Sequence, residues 1–241
     1  MAVDPGPLWD YDDPVGSAGR FREAVASAEG DDRLVLMTQL ARALGLQERY
    51  DDAHHVLDAV AAAGARAPEV GVRLALERGR VLRSAGDPAA GAPLFRAAAD
   101  EARVAGLEAL HVDALHMVAL VSPAGEQLRI NEEALAYARA SSDPTARAWE
   151  ASLLHNIGMC LVDAGDLDAA LRAFREALGV RERLGRPAET RVARWAVGWT
   201  LRLLDRRSEA LQIQESLAAE LEAAGEEDPY VTEELVLLRR R

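Results

Sequence analysis

The chain has 241 residues, 49% of them apolar and 28% charged, and its 28 basic residues, all arginine, face 40 acidic ones for a net charge of −12. That composition can bury a core, while the negative balance repels nucleic-acid phosphates and anionic membranes, which are not expected partners. The lone Cys160 excludes an internal disulfide and cysteine-rich zinc sites; with no membrane-length apolar run and no signal-peptide pattern at the acidic start, a cytoplasmic protein is expected.

Residues 1–13 form an acidic tail in which Trp9 and Tyr11 stand among Asp10, Asp12 and Asp13. It suggests a calcium loop only superficially, because the glycine and closing glutamate are missing. A single helical pattern over 16–29 carries Phe21 and Ala24. Paired patterns of period 3.6 then occupy 34–66, 72–106, 112–142, 151–185 and 191–225, and a last single helix spans 229–240. The fourth pair is plainest. Its stripes, Leu154, Ile157 and Leu161, then Leu167, Leu171, Phe174 and Leu178, flank a Gly165-Asp166 turn, with small Gly158 and Ala170 where two helices must approach closely. One small marker recurs as Ala41, Gly79, Ala119, Gly158 and Gly198, at intervals of 38, 40, 39 and 40. A second, Val60, Ala98, Ala138, Ala177 and Leu217, keeps the same intervals, so the chain is an internal repeat. Ala67-Pro68, Asp143-Pro144 and Asp228-Pro229 punctuate helix starts at the unit boundaries.

The small residues at Gly158, Ala170 and Ala177, with bulky Phe174 between them, resemble the tetratricopeptide repeat in a long bacterial form, since the interval exceeds the usual repeat of about 34 residues. Gly91 and Asn131 replace one expected alanine, Gln214 replaces the aromatic, and Ser122-Pro123 ends a helix early, so the third unit is the least regular. The resemblance implies an all-α, right-handed solenoid of about five antiparallel helix pairs, with 16–29 and 229–240 as terminal half repeats of one domain over 14–241. It also implies a concave groove lined by first helices. Carried over position by position, the groove residues are Arg42, Arg80, Arg83, His116, His155, Asn156, Met159, Trp195, Trp199 and Arg202. A one-position shift in register would make Trp195 a core aromatic, and Trp149, near the start of a long first helix, is expected to pack between units.

No phosphate loop, paired-histidine metalloprotease motif or nucleophile elbow occurs, so neither catalysis, a metal nor a cofactor is expected. His54 and His55 diverge on a helix, His111 and His116 are poorly spaced for a shared ligand, and Cys160 falls at a packed small position. The expected function is a non-enzymatic scaffold that binds a protein or peptide, acidic or aromatic in character, with Arg80 and Trp199 exposed for contact. Two alternatives remain: a ligand- or peptide-sensing regulatory module, or a structural homo-oligomer joined through the last helix, whose Val231, Leu235, Val236, Leu237 and Leu238 face more than one side. For the acidic tail, either Trp9 packs on neighbouring first helices, or the tail lies near Arg42, Arg80 and Arg83 as an internal competitor.

Overall fold

The computed structural model describes residues 3–240. Among the described residues every regular element is helical and none is a strand. A 3-10 turn at Gly6–Leu8 precedes the first α-helix, α1 (Pro14–Ser27). The first and second helices of five successive repeats are α2 (Gly30–Gly45) and α3 (Tyr50–Ala62), α4 (Pro68–Ser84) and α5 (Pro88–Val104), α6 (Glu108–Val121) and α7 (Ala124–Ala140), α9 (Glu150–Asp163) and α10 (Leu167–Leu184), and α11 (Pro187–Leu203) and α12 (Arg207–Ala224); α13 (Pro229–Arg239) follows. Ahead of α9 stands α8 (Pro144–Arg147), a single turn. The long first helix expected from Pro144 therefore breaks at Ala148-Trp149 and restarts at Glu150, with half-buried Trp149 at the break.

Local chemistry explains the helix ends. Asp87 and Asp166 accept backbone N–H groups of Ala90 and Ala169, capping α5 and α10, and the preceding Gly86 and Gly165 take the left-handed backbone at φ 96° and 80°. Where the Gly-Asp pair is absent, Glu48 and Asp205 adopt positive φ instead, at 60° and 58°. Asp228 caps α13 by accepting from Tyr230 and Val231, and Pro229 occupies its first turn, where a missing N–H costs nothing.

The repeat markers are a packing rule. A Cβ on Gly79 would come within 2.5 Å of the Phe95 ring, and one on Gly158 within 2.5 Å of the Phe174 ring, both rings being fully buried. In the first repeat the smaller Leu57 leaves room for Ala41 in the same buried cluster. At Gly198 the neighbour is the Gln214 amide, which is also fully buried and donates to the Trp195 carbonyl at 3.3 Å. At Gly79 and Gly158 glycine thus stands where the second helix supplies an aromatic ring.

The sequence reading takes 14–241 as one domain; packing gathers the chain into two compact units, Met1–Pro123 with Ser141–Ala146, and Ala124–Ala140 with Arg147–Arg241. The division runs through the irregular third repeat, leaving α6 in the first unit and α7 in the second. The first unit has one core around Phe21, Leu40, Leu44 and Leu57, and a smaller one around Leu34, Val60 and Val70. In the second, Leu171, Phe174, Val197 and Leu201 form one core, and Leu217, Leu221, Val231 and Leu235 another.

Candidate binding face

In the first unit, α2, α4 and α6 bring Arg42, Arg80, Arg83 and His116 together, the three arginines in three distinct states. Arg80 lies between two carboxylates: it donates to Glu77 Oε1 at 2.6 Å and to Asp113 Oδ1 at 2.5 Å, with 13% of its side chain exposed. Burial pulls the Arg80 pKa down, but Asp113 and Glu77 more than offset this and raise it. Burial pushes the Asp113 carboxyl up, yet Arg80, helped by Arg42, holds it below the usual range. Arg42 is only loosely held. It lies 3.9 Å from Glu77 Oε1, beyond hydrogen-bond reach, and Glu77 Oε2 is buried with no hydrogen-bond partner. Arg83, at the end of α4, is exposed and pairs with no carboxylate among the described residues. Burial, then the nearby arginines, keep the half-buried His116 below its ordinary pKa, against the opposing pull of Asp113.

The N-terminal segment is fastened to this face. Ser17 Oγ accepts from Asp10 N at 2.9 Å and donates to Asp10 O at 2.8 Å, Arg20 donates to Leu8 O at 2.9 Å, and Trp9 Nε1–H donates to Gln39 at 3.1 Å. Trp9 sets its edge on Phe21 and stacks on Tyr11, centroids 4.7 Å apart and planes 4° apart. The Arg42 guanidinium stands 5.6 and 5.5 Å from the two ring centroids. Trp9 thus packs on α1 and α2, and Arg42 is the arginine that stands over the two rings. Arg42 also lines a pocket of about 170 Å³ at the C-terminal ends of α2, α4 and α6, together with Arg80, Arg83, Leu46, Val81, Met117, Leu120, Gly45 and Ser84.

The second unit carries a ladder of rings. His155 lies 5.3 Å from Phe174, Phe174 meets Trp199 edge-on at 6.5 Å, Trp199 stacks on Trp195 at 5.6 Å, and Trp195 meets Tyr230 at 5.9 Å. Met159 and both tryptophans pack against the buried core, Asn156 is half-buried, and burial, with Arg181 adding to it, lowers the His155 pKa. Arg202 makes two 2.7 Å hydrogen bonds to Glu234, which is 4% exposed on α13. Burial, and then Asp163, push the Cys160 thiol up, the opposite of an activated nucleophile.

The expectation that Arg80 and Trp199 stand exposed is corrected. Arg80 is closed in by Asp113, which lies on the next first helix, and Trp199 by its stack on Trp195, one helical turn away. Sequence reasoning also passed over Glu77, Asp113 and Glu234. Glu77 is three residues before Arg80 and so was within reach of the helix-spacing rule, whereas Asp113 meets Arg80 from the next first helix.

Residues 149–219 match the family model described as Tetratricopeptide repeat. The same helix pairs and small-residue markers extend through both units. The matched stretch, from α9 into α12, is similar to the tetratricopeptide repeat and covers under a third of the chain. Its fold is similar to that of the apo form of RapI, with a TM-score of 0.74 at 12% identity over 94% of this chain and 66% of that one. It is also similar to a signal-transduction ATPase with a tetratricopeptide-repeat sensor from Pyrococcus horikoshii (TM-score 0.73, 10% identity, 93% of this chain and 36% of that one). The apo quorum sensor NprR from B. thuringiensis gives 0.65 at 15% identity over 95% and 64% of the two chains, and NprR in complex with its cognate peptide NprX gives 0.56. At these identities the likeness is one of fold, and the chain spans two thirds or less of the length of these relatives. No curated protein sequence matches it. No helix among the described residues is long and apolar enough to cross a membrane.

Proposed function

We propose that this chain is a non-enzymatic, cytoplasmic scaffold that binds a protein or peptide segment across the exposed faces of its first helices. The observation carrying this reading is the open pocket at the ends of α2, α4 and α6, where exposed Leu46, Leu120 and Arg83 border a cavity with apolar walls. Exposed apolar groups beside a cation are the usual material of a recognition patch. The peptide bound by NprR favours a second reading, in which occupancy of such a face by a peptide regulates another protein. Self-association through α13 has less support, because Val231, Leu235 and Leu238 are buried within the second unit, leaving Val236 and Tyr230 exposed.

Capture from an extract of the cells that express the protein tests the scaffold reading. Wild-type chain is expected to retain at least one protein or peptide that a Leu120→Asp, Arg83→Glu double variant of equal stability loses. Identical capture by both chains contradicts binding at this face.

A further inference from the structure

We propose that the pocket at the ends of α2, α4 and α6 is an anchor for an apolar side chain directly followed by a carboxylate, with Arg83 as the residue that reads the carboxylate and the N-terminal Trp9–Tyr11 stack as a fixed buttress for Arg42. This rests on the scaffold reading and gives its partner a chemistry. The three arginines at the pocket differ in what they have left to offer. Arg80 is saturated by Glu77 and Asp113 and largely buried, so it serves as floor. Arg42 lies 3.9 Å from Glu77 and beside two aromatic rings, which restrict its plane while leaving its charge incompletely paired. Arg83 is exposed and uncommitted at the rim.

Charge complementarity selects the occupant. Arg42, Arg80 and Arg83 line the pocket with no carboxylate among the lining residues, Glu77 and Asp113 are engaged by Arg80, and burial disfavours a charge on His116, so the local balance favours an anion on a chain whose total is −12. Val81 and Met117 line the walls and Leu46 and Leu120 the mouth, which suits an aliphatic side chain beside that anion. The N-terminal segment is held by hydrogen bonds from Ser17, Arg20 and Trp9 and contributes none of the lining residues, so it backs Arg42 and does not compete for the site.

The test is a titration of the full chain, labelled on methionine methyl and arginine Nε, with Gly/Ser peptides of about twelve residues carrying a central Leu-Asp, Leu-Asn or Gly-Asp pair. The Leu-Asp peptide is expected to shift Met117 and Arg83, and to bind about fivefold or more tighter than either control, a gap that closes in Arg83→Gln and narrows with added salt. Tyr11→Ala, at an exposed ring, is expected to weaken binding with the melting temperature unchanged; stronger binding would make the segment a competitor and overturn the buttress. Equal binding of the three peptides, or no shift at Met117, overturns the anchor. If the peptides shift Met159 of the second unit instead, the scaffold reading survives without the anchor; if no peptide shifts any signal, both readings fail.

Discussion

At the scale of the residue, three arginines that look alike in the sequence do three different jobs, and stability measurements should separate them. Truncating Arg80 leaves Glu77 and Asp113 facing each other in the interior, so Arg80→Ala is expected to cost about 3–5 kcal/mol in denaturant unfolding, whereas Arg83→Ala should change stability by less than about 0.5 kcal/mol. Comparable losses for both would show that the ionic cluster does not hold the first helices. Glycine at the small marker is equally specific: Gly158→Ala drives a Cβ into the Phe174 ring and is expected to cost about 1–3 kcal/mol, relieved when Phe174→Leu is added. Histidine adds a dependence on pH. Burial lowers both His116 and His155 below their unfolded values, so the unfolded chain binds more protons once pH falls through about 6.5. Stability is therefore full above that value and declines on acidification toward the lower folded values. The melting temperature should fall from about pH 7 to 5, and His116→Gln should flatten the fall; an unchanged slope in that variant would remove His116 from the explanation.

At the scale of the element, the repeat was legible because it is enforced by volume. Marker positions Ala41, Gly79, Ala119, Gly158 and Gly198 are all buried, and so are Val60, Ala98, Ala138, Ala177 and Leu217. A residue that must fit under a buried side chain of the next helix leaves its mark in the sequence, as small Ala41 does in the Leu57 cluster and glycine does beneath the rings of Phe95 and Phe174. The pairing of charges was less legible, since it depends on which rotamers meet across helices. Arg202 was assigned to a binding groove from its position, yet Glu234, 32 residues on, takes both faces of its guanidinium fork. Arg202→Ala is expected to leave the buried Glu234 unpaired and release α13, costing about 3 kcal/mol or more, with the loss of amide protection concentrated in 229–239. Unaltered exchange in α13 would show that its apolar stripe alone fastens it. The break between α8 and α9 escaped the sequence reading for a different reason: Asp143-Pro144 is a sound helix start, and no glycine or proline marks where that helix stops.

At the scale of the whole molecule, the specificity of the proposed scaffold resides in whichever side chains remain uncommitted after the helix pairs have packed. On that ground Arg83, Leu46 and Leu120 weigh more in the proposed function than the tryptophans, whose rings are half spent on one another and on the core. The irregular third repeat was visible in Ser122-Pro123 and Asn131, but its coincidence with a division between two compact units was not, because packing partners across tens of residues leave no local signature. The central claim, recognition through first-helix faces, is tested most directly by a photo-crosslinking amino acid placed in turn at exposed Leu120 on α6 and at exposed Arg129 on α7, in the full chain within the cells that express it. Crosslinks to a partner protein from position 120 and none from position 129 is the result expected; equal crosslinking from both positions, or none from position 120 in a correctly folded chain, would contradict it.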